Sequence, residues 1–367
     1  MSHIKTEPLV RIAKRQDIAR TKSWLIRLLS VVLALAVSGI VIYAMVKLNP
    51  IKVYVAMWKG AVGTPKRTLV TARDTVMLLC IGIGLAPAFK MRFWNIGAEG
   101  QVLVGGIATA ACMIYFGGVI PPWLLLITMF AASLVAGALW SVIPAIFKSR
   151  FKTNETLFTL MMNYVAIQLT SFFVAKWENP FGSNTVGIIN QMTRDGWLPS
   201  LFGTQYMVNI LLVLLLTVGM YVYLKYSKHG YEIAVVGESE RTAKYVGINV
   251  KKVVVRTMSL SGAICGLAGF IAVAGSSHTI STSTAGGQGF TAIIVAWLAK
   301  FNTFVMIMVS VLLVFLEKGA TQIASQYDLN DYASEMITGI ILFFILGSEF
   351  FINYQLIFRQ RKGGELA

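Results

Sequence analysis

The chain has 367 residues, 56% of them hydrophobic and only 13% charged, with a formal net charge of +16. A water-soluble protein of this length could not hide so much apolar surface, so the composition points to an integral membrane protein. No nucleic-acid-binding module accompanies the positive charge, which falls mainly between apolar runs and reads as a topology signal.

A basic segment, 1–23, precedes the first apolar run, 24–46, which is too long for a signal-peptide core and reads as a retained span. About 20 apolar residues cross a bilayer. By that measure 70–89, 93–116, 122–147, 157–176, 206–225, 254–274 and 336–356 are further spans. The stretch 289–317 is apolar but interrupted at Lys300-Phe301-Asn302. It reads as two shorter helices, 289–299 and 303–317, against the alternative of one long tilted helix with Lys300 buried. The fold class is then an all-α membrane protein of about ten segments, with a transmembrane domain over 24–356 and a tail over 357–367. Lys and Arg concentrate at alternate ends of the spans, which puts both termini and the loop 226–253 in the cytoplasm and 177–205 outside. The outer loop 47–69 runs against this pattern, with Lys47, Lys52, Lys59, Lys66 and Arg67. Cys80, Cys112 and Cys265 lie in apolar segments without metal-type spacing and read as buried thiols. His3, His229 and His278 are scattered, and no metal or cofactor site follows from them.

Asn95-Ile96-Gly97-Ala98-Glu99-Gly100-Gln101 places amide and acid groups among glycines inside apolar sequence. Polar groups at membrane depth are costly and usually face a bundle interior or a water-filled path. Glycines beside them permit an opened helix, which hydrocarbon tolerates only inside protein or a cavity. A second such segment, 275–290, ends in Gly286-Gly287-Gln288-Gly289-Phe290 before a short apolar helix. Two interrupted helices in two halves of a chain point to a transporter built from repeats, although 275–289 could equally be a plain outer loop. The candidate path residues are Asn95, Gly97, Glu99, Gly100, Gln101, Asn163, Gly287, Gln288 and Phe290. Asn154 and Glu155 suit the start of the fifth span as N-cap and first-turn acid. Gly82, Gly84, Gly105, Gly106, Gly262 and Gly266 suit close helix packing.

In the loop 226–253, Ser239 can cap a short helix that Gly247 ends. Ala243, Tyr245 and Val246 would give it an apolar and aromatic face toward the cytosol, as a docking helix for a partner requires. Gly237 and Glu238 lead into it.

These residues carry a family resemblance. Asn95–Gln101 resembles the NIGxEGQ-type motif of the ABC importer permeases that serve branched-chain amino acids, simple sugars and nucleosides. Gly237-Glu238 through Ala243 and Gly247-Ile248 resembles the cytoplasmic coupling segment of that family. Gly287-Gln288-Gly289-Phe290 resembles the entry to its late helix. Asn154-Glu155-Thr156-Leu157 and Met161-Met162-Asn163-Tyr164 are most similar to the nucleoside and simple-sugar branch. The resemblance implies a transport subunit of a bacterial cell membrane, without catalytic residues of its own. It also implies three partners: a cytoplasmic ABC ATPase, a second permease subunit and a lipid-anchored solute-binding lipoprotein outside. The chain contains no GxxxxGK[ST] phosphate loop, so ATP would be bound by the partner. Alternatives are an ion-gradient-driven secondary transporter, which would share broken helices and a buried acid but not the 230–249 segment, and an ABC permease for branched-chain amino acids. A membrane-embedded enzyme would need paired carboxylates, a His cluster or a metal site.

Overall fold

A computed structural model describes residues 10–15, 19–201, 203–328 and 331–358. It divides into two compact units: the described residues of Met1–Thr64 and Phe315–Ala367, and Pro65–Val314.

In the first unit, β1 (Val10–Lys14) pairs antiparallel with β2 (Tyr354–Phe358), Val10 opposite Phe358 and Lys14 opposite Tyr354. The helices α1 (Arg20–Val46) and α13 (Asp331–Asn353) pack along each other. The stretch 47–69, read as a loop, instead contains α2 (Pro50–Val62). Asn49 caps it by accepting from Ile51 N at 2.9 Å, and Pro50 occupies its first position. Two of the five basic residues there stand at helix C-termini, Lys47 as the cap of α1 and Lys59 in the last turn of α2, where positive charge is favoured. Trp58 on α2 meets Phe315 edge-on at 5.7 Å.

The second unit contains α3 (Pro65–Lys90), α4 (Ala98–Phe116), α5 (Pro122–Phe151), α6 (Glu155–Lys176), α7 (Met207–Tyr226), α8 (Lys228–Glu238), α9 (Glu240–Tyr245), α10 (Val250–Ala272), α11 (Gln288–Leu298) and the start of α12 (Thr303–Tyr327). The apolar stretches of α3 and of α10 with its extension are 78% and 83% buried, whereas those of α5, α6 and α7 are 22–28% buried. The former are therefore the core and the latter the apolar exterior. Helix backbones touch in this core. A Cβ on Gly105 would collide with the backbone of Gly266, and one on Gly137 with the carbonyl of Gly262. Small residues permit that approach where no water drives association. Cys80, Cys112 and Cys265 are buried free thiols.

Among the described residues, seven helices are long and apolar enough to cross a membrane, and Leu28–Ala44, Gln288–Leu298 and Met336–Ile352 are shorter apolar helices. The 289–317 stretch is two helices, with Lys300 and Phe301 both left-handed at the break. Several boundaries differ from expectation, among them the start of the 70–89 span, which lies at Pro65. The 93–116 segment is helical only from Ala98, the later helix of 289–317 continues to Tyr327, and 336–356 begins at Asp331. The loop 226–253 holds two helices, not one, because Ser227 caps α8 by accepting from Gly230 N at 2.9 Å.

Candidate functional site

The break before α4 is held by side chains. Asn95 is fully buried, and its Oδ1 accepts from Gly97 N (3.0 Å) and Gln101 Nε2 (3.2 Å) while its Nδ2 donates to Ser261 Oγ on α10 (3.2 Å). Asn163 on α6 donates through Nδ2 to Ile96 O and accepts from Gly100 N through Oδ1, both at 2.9 Å. Thr159 Oγ1, one turn earlier, accepts from Ile96 N at 3.1 Å. Backbone groups that a helix would have satisfied internally are thus satisfied from neighbouring helices, as membrane burial demands. Asn95, Gly97, Gly100, Gln101 and Asn163 were expected to line a path. The structure brings them together in a buried, hydrogen-bonded network.

Glu99 joins the two interrupted segments. Its Oε1 accepts from Gly287 N at 2.7 Å and its Oε2 from Gly289 N at 2.8 Å. The carboxylate therefore caps the N-terminal end of α11, where orphan N–H groups and the helix dipole favour negative charge. Both glycines are needed: Gly287 has φ +75°, and a Cβ on Gly289 would collide with Glu99. Residues 278–287 do not form a plain loop. They run back alongside α4, from Ile280 beside Gly106 to Gly287 at Glu99. Thr282, Ser283, Gly286, Gly287 and Phe290 are exposed on this strip, and Gln288 Oε1 is buried without a hydrogen-bond partner.

The far end of the strip is clamped by the loop 177–206. His278 O accepts from Ile189 N at 2.8 Å, and its ring stacks on Trp197 at 3.7 Å.

Sequence reasoning missed an aromatic cluster. Trp94 stacks on Trp297 with ring centres 5.2 Å apart, and Phe89 and Phe301 pack against Trp297 at 6.0 and 5.4 Å. It closes the space between the end of α3, the break before α4 and the end of α11. Trp94 and Phe301 stand directly beside motifs that were noticed, and only the third dimension joins them.

In the 226–253 segment, Ser239 caps α9 by accepting from Thr242 N at 3.2 Å, and Gly247 follows at φ +82°. Ala243 is fully buried and corrects the expected face; Tyr245 (92% exposed) and Val246 carry it alone. Gly237 sits against the carbonyl of Lys90, so α8 rests directly on the end of α3. Glu238 is exposed. His229 on α8 bonds Tyr223 (2.7 Å) and Thr257 (3.2 Å), tying α7, α8 and α10 together. Burial, and secondarily the positive charge of Arg256, holds His229 below its ordinary pKa.

Residues 68–346 match the model of the family described as branched-chain amino acid transport system / permease component. The chain belongs to this family. The permease is 28% identical to the guanosine ABC transporter permease protein NupP of Bacillus subtilis, over 94% of this chain and 99% of that one. It is also 28% identical to the glucose ABC transporter permease protein TsgB13 of Haloferax volcanii, over 92% and 91%. It is 25% identical to the nucleoside ABC transporter permease protein NupB of Lactococcus lactis, over 89% and 91%. The reading of the sequence as an ABC transporter permease subunit holds, and the permease is a multi-pass membrane protein.

Proposed function

We propose that the permease forms half of the path of an ATP-driven importer for a nucleoside or simple sugar. The observation that carries this is the Glu99 latch, which sets an uncharged, hydroxyl-rich strip (Thr282, Ser283, Gly286 and Gly287, with Phe290) open beside a closed scaffold. Neutral, hydroxyl-bearing solutes suit such a lining, and a ring can pack on Phe290. Gln288 Oε1 would accept from a solute hydroxyl or a water that the opened path admits. Guanosine, nucleosides and glucose in the names of the relatives favour the same class. In this reading Asn95, Gly97, Gly100, Gln101 and Asn163 position the path and do not line it.

In this reading the three shorter apolar helices join the seven long ones in the membrane, and 278–298 re-enters as an interrupted half. The pairing of β1 with β2 suits 10–14 and 354–358 lying on one membrane face, and the distribution of Lys and Arg makes that face the cytoplasmic one in this reading. The loop 177–206 then lies outside, where a lipid-anchored binding protein would deliver the solute.

The ATPase partner engages α8 and α9. Tyr245 and Val246 enter its groove, Ser239 and Gly247 fix the helix ends, and Gly237 passes the movement to the end of α3. From there it reaches the aromatic cluster around Trp94 and Trp297. A second permease subunit completes the path. The test is uptake of labelled guanosine, uridine and glucose by proteoliposomes holding the permease with its ATPase and binding protein. ATP-dependent uptake of one class is expected. Uptake that follows an ion gradient and ignores ATP would overturn the reading.

A further inference from the structure

Away from the Glu99 latch, a cavity of about 380 Å³ opens where the ends of α3, α5 and α8 meet α9 and the starts of α6 and α10. Five cations line it, Arg92, Lys148, Lys152, Lys244 and Lys251, against two carboxylates, Glu155 and Glu240. One pair is closed: Lys148 Nζ lies 2.6 Å from Glu155 Oε2. Among the described residues, Arg92, Lys152, Lys244 and Lys251 make no ion pair and no side-chain hydrogen bond. Leaving the short α9 aside, three helices end here and two begin. At roughly half a charge per helix end, the backbone removes about half a charge, so the cavity keeps about two and a half positive charges.

Two further features separate this cavity from an ordinary basic surface. The first is how it is built. Arg92 and Lys152 stand at φ +60° and +55°, left-handed positions after α3 and α5 that glycine fills at least cost. Their side chains line a cavity whose floor is buried and apolar, with Met91, Phe93, Val236, Val250 and Val254. Such a floor screens charge less than water does, so an anion there is held more firmly. The second feature is the pair of apolar faces that leave the cavity. Leu139, Ile143, Ile146 and Phe147 are exposed at helical spacing, one face of α5 that leads to Lys148 and Lys152. Leu157, Met161, Tyr164 and Val165 form a similar exposed face on α6 that leads from Glu155. The two helices meet beside the cavity, where the rings of Phe147 and Phe158 lie 4.9 Å apart. Basic pockets between membrane helices on the cytoplasmic side suit anionic headgroups, and two apolar faces leaving such a pocket suit acyl chains.

We propose that this cavity holds the phosphodiester headgroup of an anionic phospholipid of the inner leaflet, its chains lying on the exposed faces of α5 and α6. The leaflet rests on the topology proposed above; the binding chemistry does not. Lys244 shares α9 with Tyr245, so acidic side chains of the ATPase are the rival occupant, and the two apolar faces favour the lipid. The test is native mass spectrometry of the detergent-solubilised full chain, titrated with phosphatidylglycerol, with phosphatidylcholine and with inorganic phosphate. The variant is Lys152→Gln with Lys251→Gln, which leaves α9 untouched. The controls are the Arg pair at the same positions and Lys176→Gln with Arg194→Gln elsewhere. Phosphatidylglycerol should bind more tightly than phosphatidylcholine, and millimolar phosphate should not displace it. At roughly fivefold per lysine, the Gln pair should weaken it about 30-fold, while the Arg pair and the remote pair should bind as wild type does. Unchanged affinity in the Gln pair, equal binding of phosphatidylcholine, or displacement by phosphate would each overturn the proposal. A Gln pair that keeps its phosphatidylglycerol but loses the co-purifying ATPase would overturn it in favour of the rival. None of the lipid measurements depends on which solute the permease carries.

Discussion

Replacing Glu99 with Gln preserves size and shape but removes one acceptor. In the permease both carboxylate oxygens are used, for Gly287 N at 2.7 Å and Gly289 N at 2.8 Å. An amide offers a single carbonyl, so its NH2 would face the other backbone N–H, donor against donor, at a buried position. A hydrogen bond to a charged group contributes about 1.5–3 kcal/mol. Losing the negative charge at the start of α11 forfeits about another 0.3–1 kcal/mol. Glu99→Gln should therefore loosen the strip 278–289 by about 2–4 kcal/mol, and Glu99→Ala by more, since it removes both bonds. At 1.4 kcal/mol per factor of ten, amide exchange around Gly287–Phe290 should quicken by about 30- to 1,000-fold in Gln, with uptake lost while membrane insertion is retained. Gln would substitute well only if one acceptor were enough. Wild-type exchange and wild-type uptake in both variants would refute the latch.

Gly237→Ala places a methyl against the Lys90 carbonyl, so it should lift α8 off α3 and uncouple ATP hydrolysis from uptake while the chain still inserts, measured as ATPase stimulation in proteoliposomes. Because Ala243 is buried, Ala243→Glu should damage the seat of α9 itself, whereas Tyr245→Glu should leave the melting temperature unchanged and abolish co-purification of the ATPase. The folded permease holds His229 below its unfolded value of 6.5, so the unfolded chain binds more protons between the two values. Stability from this site should be complete above about pH 6.5 and fall as pH drops through the folded value, seen as faster amide exchange in α8 in the wild type and not in His229→Gln. An impermeant thiol reagent on intact cells should label a cysteine placed at Ser183 and not one at Ser239; the reverse would invert the topology.

Hydrophobic run length located most helices, because a span must satisfy its own backbone whatever surrounds it. Beyond run length, only local chemistry marks a helix, and the marks differ in visibility. Ser239 and Gly247 marked α9 correctly, yet Asn49-Pro50 and Ser227, the same kind of start signal, went unread among basic residues and hid α2 and α8. The polar motif at Asn95–Gln101 was visible as an anomaly, but its role was not. Whether a buried amide lines a path or staples a backbone depends on partners such as Asn163 and Ser261, 63 and 166 residues away. The link from Glu99 to Gly287 spans 188 residues and leaves no periodic trace. Burial of Ala243 was equally hidden, since a six-residue helix has too few turns for a face to show in sequence.

The shortness of α11 bears on how the permease is made. Its 11 residues rise about 16 Å, roughly half the hydrocarbon thickness. A ribosome-bound chain threading residues 278–302 into lipid alone would strand the polar strip in hydrocarbon, with the N–H groups of Gly287 and Gly289 unpaired. The carboxylate that receives them is synthesised nearly two hundred residues earlier. Partition into the bilayer, one helix at a time, cannot finish this part of the molecule. On the re-entrant placement proposed above, the half-helix waits at the interface, or inside the insertion machinery, until α3 and α4, against which α11 packs, have docked and opened a protein-lined berth for it.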